Sequence, residues 1–168
     1  MALIDGMLQE LEQEAQTTRR VLERVPDDRL SWRPHEKARM LGELALHVAM
    51  VPGSVAEFVA AESPVQAPQF TDPSPQKAAE LVPALEESIA KAKKLLGGMD
   101  DATLQATWRM MQGERELLAI PRVAMLRSIM LNHWYHHRGQ LSVYLRELDV
   151  PIPSIYGPSA DENPFASG

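Results

Sequence analysis

Apolar residues recur in alternating steps of three and four along four stretches of this chain, a spacing that commits most of it to amphipathic helices. In the first stretch Ile4, Leu8, Leu11, Ala15, Thr18, Leu22 and Val25 draw one stripe, with Glu10, Glu12, Glu14, Arg19 and Arg20 mostly outside it. Pro26-Asp27-Asp28 is its stop signal. A second helix is predicted from about Met40, with Leu41, Leu44, His47 or Val48, Val51, Val55 and Phe58 on its stripe. Pro52 lies inside this pattern and is expected to kink or split it, because proline lacks the N–H that continues the ladder. A third helix is predicted from about Ser74, as N-cap to Pro75, through Ala78, Leu81, Leu85, Ile89 and Ala92 to Leu96, before Gly97-Gly98. The fourth runs from about Pro121 to Leu148, with Leu126, Ile129 or Met130, His133, His137, Leu141, and Tyr144 or Leu145 inward.

The connecting segments read less clearly. Residues 63–75 hold Pro64, Pro68, Pro73 and Pro75 and are expected to be an unstructured crossover loop. In residues 99–120, Asp100 is a candidate cap for a short helix, and Gln112-Gly113 is the turn of a small hairpin or part of an irregular loop. The fold class expected from these patterns is all-α, a four-helix bundle over residues 1–150. Residues 151–168, rich in Pro, Ser, Gly and Asn, are expected to form a C-terminal tail on or near the bundle.

Composition narrows the function classes. With 45% hydrophobic and 24% charged residues the chain is globular. It has no cysteine, which excludes disulfides, thiolate metal sites and a cysteine nucleophile. A net charge of −6 without a Lys/Arg cluster argues against nucleic acid and against a polybasic membrane anchor. No run of apolar residues long enough for a membrane span stands out, and the N-terminus lacks a basic start before an apolar run. A cytoplasmic location is therefore expected. Phosphate loops, serine-nucleophile motifs and dinucleotide fingerprints are missing from the sequence.

Three of the five histidines fall in one pentad, His133-Trp134-Tyr135-His136-His137. His133 and His137 are one turn apart and roughly 40° apart around a helix axis, so both rings can reach one point in front of the helix. Zinc sites that take two ligands from one helix use this spacing. His47, on the apolar stripe of the second helix, is the natural third ligand, and bundles build metal sites from facing helices in this way. Three nitrogens leave coordination positions open, which marks a catalytic rather than a structural site. The bland reading of a lone buried histidine is a satisfied core residue; the convergence of three on facing stripes favours metal.

The other candidates carry weaker signals. His136 turns roughly 60° the other way from His133 and is expected beside the site or on a dimer surface. His35 follows Pro34 in a connector and is expected at the surface. Glu43 sits one turn before His47, as a support for a ligand or as a solvated charge. Arg138 and Gln140 are candidates for a substrate anion or a neighbouring backbone, with Arg138 or a tail residue as the possible holder of substrate. Trp134 and Tyr144 read as core or interface, and Met110-Met111 as core filler.

The run Asn132-His133-Trp134-Tyr135-His136-His137-Arg138-Gly139-Gln140-Leu141-Ser142-Val143-Tyr144-Leu145-Arg146 resembles the DinB-like family, the damage-inducible and thiol-transferase group of bacterial proteins. Leu41-Gly42-Glu43-Leu44-Ala45-Leu46-His47, Trp32-Arg33-Pro34-His35 and the tail from Pro153 to Glu162 share the likeness. The resemblance implies an up-down-down-up bundle and a homodimer. It maps the family's histidine triad onto His47, His133 and His137, with zinc or nickel as the divalent transition metal. It also implies a small-molecule substrate. Some relatives transfer low-molecular-weight thiols such as bacillithiol, mycothiol or glutathione, or isomerise maleylpyruvate with a thiol cofactor. The reading that results is a metal-dependent thiol transferase or hydrolase. The alternatives are a non-catalytic, stress-linked binder of metal or small ligand, and a metal-free polar core layer.

Overall fold

The structure, a computed structural model, describes residues 2–69 and 71–166. Met1, Phe70 and the last two residues of the expected tail lie outside it. In chain order the elements are α1 (Leu3–Leu22), α2 (Leu41–Ala60), β1 (Val65–Gln66), α3 (Leu81–Leu96), α4 (Asp101–Gln105), β2 (Thr107–Gln112), β3 (Arg115–Pro121), α5 (Arg122–Met125) and α6 (His133–Glu147). A π-helical stretch, Leu126–Asn132, joins α5 to α6 without a break. Four long helical segments therefore carry roughly half of the chain. α2 packs against α3 and α6, and α1 packs against α3 and α6.

The helices sit where their stripes put them. Leu11, Leu22, Leu41, Leu44, Leu81, Leu85, Leu96, Leu126, Leu141 and Leu145 all lie in one core. Each buried leucine contributes roughly 2 kcal/mol, whereas differences in helix propensity among such residues amount to tenths. Burial thus decides the placement. One charged residue expected outside the stripe of α1 is an exception: Glu14 is only 9% exposed. α2 is long and apolar enough to cross a membrane by length and composition, but half of that apolar stretch is buried inside the protein.

Pro52 does not split α2, which is helical from Leu41 to Ala60. The carbonyl it leaves without an intrahelical donor, that of Val48, accepts the indole N–H of Trp134 at 2.8 Å. One turn of the same helix is tied to α3: Gly53 N–H donates to Ser88 Oγ at 2.7 Å, and that hydroxyl donates to the Met50 carbonyl at 3.1 Å. A side chain at Gly53 would meet the Ser88 backbone oxygen at 2.8 Å, so glycine permits this close approach.

Three expectations are corrected. The chain is not all-α, because β1, β2 and β3 form a small sheet in the order β1-β2-β3. Of the two readings of residues 99–120, the hairpin is the one observed, turning at Gly113 with φ of 60°. Asp100 caps α4 by accepting the Thr103 N–H. Trp108 drives the hairpin onto the helices, packing edge-on to Phe58 with ring centroids 5.1 Å apart. Within the supposed crossover loop, Val65 and Gln66 pair parallel to Met110 and Met111. Met110 also packs against the core from this position.

The third correction is at the start of α3, which begins at Leu81 rather than near Ser74. A 3₁₀ turn, Ala78–Glu80, precedes it. The Glu80 carboxylate accepts the Lys77 N–H at 3.0 Å, and Asp27 accepts the Ala78 N–H at 2.6 Å. Ser74 and Pro75 instead press on the start of α2, where a Cβ on Gly42 would lie 2.7 Å from Ser74 Oγ. Beyond α6 the chain returns over α1 and α6, with Glu162 on Arg20 and Asp161 on Arg146.

Candidate metal centre

The Trp134 indole bond to Val48 fixes α6 against α2 at one level, and the histidines flank that bond on both helices. His47 precedes Val48, and His133 precedes Trp134. The π-helical stretch ends where α6 and the histidine pair begin. Its wider turn changes the facing of the residues before the pair: Met130 is fully buried and Ile129 is 38% exposed. The repeat of apolar residues left that choice open and gave no sign of π-helix.

The three rings converge. One ligand atom from each of His47, His133 and His137 lies within 4.8 Å of the others. His47 Nε2 and His133 Nε2 are 3.1 Å apart. Metal–nitrogen bonds of about 2.0–2.1 Å at tetrahedral to right angles set donor nitrogens roughly 3 Å apart, so this pair already has bonding spacing. Ring centroids are 5.3 Å apart for His47 and His133, 4.6 Å for His47 and His137, and 4.3 Å for His133 and His137. All three pairs meet nearly edge to face.

Gln140, one turn beyond His137, supplies the support the sequence did not specify. Its Oε1 lies 2.6 Å from His137 Nδ1. That nitrogen therefore carries the proton, and Nε2 keeps its lone pair toward the other two rings. Burial pushes His47 and His137 each down to about 4, with the neighbouring rings and the Arg39 guanidinium adding to the effect. His133 is lowered as well, first by burial and then by His136 and Arg39. At neutral pH all three imidazoles are uncharged, the form that binds metal. Among the described residues no protein donor other than these rings reaches the converging nitrogens. The group could hold one metal ion.

The other predicted residues divide between the site and elsewhere. His136 is exposed beside His137, with ring centroids 5.0 Å apart. His35 is exposed and accepts the Lys37 N–H within its own turn. Glu43 does not support a ligand; it accepts the Met40 N–H at 2.7 Å and so caps α2. Arg138 points away from the histidines into a buried pairing with Glu14, at 2.6 Å. Trp134 is fully buried core.

Arg39 was not among the candidates. It sits just before α2 and its charge is felt by His47, His133, His137 and Tyr144. Its only signal in sequence was a cation near the start of the His47 helix. Two clefts lie elsewhere: about 320 Å³ between α1 and α3 at Ala15, Leu85 and Ile89, and about 210 Å³ between α2 and α3. Neither cleft is lined by a convergent histidine group like that of His47, His133 and His137.

A family model, that of the DinB family, matches residues 2–164. The chain belongs to the DinB family. Among curated proteins, this DinB-family chain is 28% identical over 160 residues to the uncharacterized protein YrdA of Bacillus subtilis strain 168, covering 95% of this chain and 91% of the other. Among solved structures it is similar to a DinB-like protein from Bacillus cereus ATCC 10987, with a TM-score of 0.72 and 22% identity over 91% of this chain and 97% of that one. A second, the DinB-like protein YjoA of Bacillus subtilis, gives a TM-score of 0.63 and 20% identity, covering 86% of this chain and 92% of that one. At these identities the structures establish the shared fold of the DinB-family chain.

Proposed function

We propose that this DinB-family protein holds one divalent transition ion, zinc or nickel, on His47, His133 and His137, and acts as a metal-dependent transferase with a low-molecular-weight thiol, or as a hydrolase. The observation that carries the reading is the convergence of three ligand atoms within 4.8 Å of one another, from two helices. Three neutral imidazoles suit zinc and nickel, and they leave positions for a ligand from solution. When bound, such an ion lowers the pKa of a thiol or a water at an open position.

The chain's own residues prepare the site. Gln140 fixes the tautomer and facing of His137 through the 2.6 Å contact. The Trp134 bond to Val48 holds the two ligand-bearing helices in register. Trp32 and Tyr144, with ring centroids 5.6 Å apart, form an aromatic wall about two turns beyond His137 along α6.

Metal content is the deciding measurement. Protein made without a histidine tag should carry about one equivalent of a transition metal, and His137→Ala should carry almost none. The wild type should consume an electrophile in the presence of a small thiol, and chelation should stop it. Less than roughly a tenth of an equivalent in the wild type, after incubation with zinc or nickel, removes the basis of the reading. Full metal with no turnover across several thiols and electrophiles leaves a non-catalytic metal-binding protein instead.

A further inference from the structure

We propose that Arg39 is the recognition residue of the histidine site, selecting small ligands that carry a carboxylate at the end remote from the group presented to the histidines. This rests on the reading of His47, His133 and His137 as a metal site. It moves the anion-holding role from Arg138, which is buried and fully engaged with Glu14, Thr18 and Tyr156.

The position of Arg39 follows from the helix pairing. The Trp134–Val48 bond sets the level of the histidines on both helices. From there, the chain of α2 runs back to Leu41, whose N–H donates to the Trp32 carbonyl at 2.8 Å. On α6 the same direction leads forward from His137 to Tyr144, whose ring meets Trp32 at 5.6 Å. Trp32 thus closes the two helices at one end. Arg39, two residues before Leu41, lies at that end, on the same side of the histidines as the aromatic wall.

The side chain is held but not used up. Arg39 Nε donates to Asp72 Oδ1 at 2.7 Å, and the arginine side chain is 32% exposed. Among the described residues no acceptor reaches either terminal nitrogen. A planar fork oriented by one bond, with its outer donors open, is suited to a carboxylate bound through two parallel hydrogen bonds. The Asp72 pair is partly solvated and so only weakly held, and a ligand carboxylate can share or replace it. A neutral ligand gains nothing from Arg39. A carboxylate ligand reaching from the histidines past the aromatic wall gains a charge-assisted pair.

The test uses the full chain loaded with cobalt, whose absorption spectrum reports ligands at the metal without any turnover. A graded series of ω-mercaptocarboxylates is titrated against the ω-mercaptoalcohols of equal length. The longer acids should bind the wild type about tenfold more tightly than the matching alcohols at low salt. Arg39→Gln should erase that preference while leaving the alcohols and the cobalt spectrum unchanged. Arg39→Lys should keep part of it, and Asp72→Asn should keep or increase it. A structural role for the Arg39–Asp72 pair would instead make the Gln and Asn variants behave alike. If Arg39→Gln retains the full preference, the recognition role falls and the metal site stands. If no thiol perturbs the cobalt spectrum, or no cobalt binds, the reading of the site falls and Arg39 with it.

Discussion

On one side of α6, Arg138 is buried against Glu14, Thr18 and Tyr156; on the other, one residue earlier, His137 faces His47 and His133. Both clusters take polar groups out of water, and they handle the cost in opposite ways. Arg138 is 1% exposed, and its terminal nitrogens donate to the Glu14 carbonyl, Thr18 Oγ1, Tyr156 Oη and the Glu14 carboxylate at 3.2, 3.1, 2.5 and 2.6 Å. Its guanidinium lies between the rings of Tyr135 and Tyr156, 5.3 and 5.1 Å from their centroids. Tyr135 in turn donates to Glu10 at 2.8 Å, and Arg127 pairs with the same carboxylate. Burial and the Glu10 carboxylate hold the Tyr135 hydroxyl above its ordinary range, so it stays a donor. Every charge there has a protein partner. The histidine side has lone pairs that converge with, among the described residues, no protein donor beyond the rings themselves. A satisfied cluster is architecture, and a cluster of converging lone pairs is one that could hold a cation.

The largest expected effect would separate the two outright. Arg138→Met removes one member of a buried ion pair and leaves the Glu14 carboxylate stranded, which costs about 3–5 kcal/mol. Urea unfolding should show that loss and lower protection of the tail around Tyr156. Metal affinity of the variant that remains folded should change by less than about threefold, because Arg138 touches none of the histidines. A variant of unchanged stability, or one that stays folded but no longer binds metal, would mean that the two faces are a single unit.

Acid should distinguish the faces by a smaller amount. His47 and His137 have folded values near 4, pushed down first by burial, against an unfolded value near 6.5. The unfolded chain therefore binds more protons between these limits, and stability of the metal-free protein rises with pH across that window. This contribution is complete above about pH 6.5 and is lost as pH falls toward about 4. We expect on the order of 2 kcal/mol from the pair, after discounting for the solvent-facing part of His47. Replacing both histidines by glutamine should flatten the curve of stability against pH in that range, and Arg138→Met should leave its shape unchanged. A curve that keeps its slope without the two histidines would mean their rings are not buried neutral.

The difference between the faces also explains what was legible beforehand. The convergence of the three histidines could be read because it obeys one rule: two histidines one turn apart, and a third on the apolar stripe of another helix. The buried network could not. Glu14 looked like a solvated helix charge and Arg138 like a substrate holder, since only long-range contact reveals that each is the other's partner, 124 residues apart. Glu43, open in sequence between ligand support and solvated charge, is neither, for the reverse reason: its partner, Met40, is three residues away, and a local cap resembles a support for the nearby histidine. The helices were legible from leucine spacing, but the sheet rests on β1 meeting β2 across more than forty residues, and only its Gly113 turn had a local signature. The π-helical stretch had no signature at all, because the choice between Ile129 and Met130 is made by packing.

The smallest effect sharpens the comparison at the boundary between the faces. Gln140 is exposed and makes one contact that matters, the 2.6 Å bond to His137 Nδ1. Losing an exposed amide should change stability by less than about 0.5 kcal/mol. If the bond fixes the tautomer of a ligand, Gln140→Leu should weaken metal binding about tenfold, the lower end of what such supporting contacts contribute. Gln140→Glu should move it the other way, since a carboxylate accepting from Nδ1–H makes the ring a stronger donor to metal. Opposite shifts from two substitutions of similar size cannot arise from a general loosening of α6, which would weaken binding in both. Equal metal affinity in all three proteins would show that His137 is oriented by packing alone, as Arg138 is by its partners.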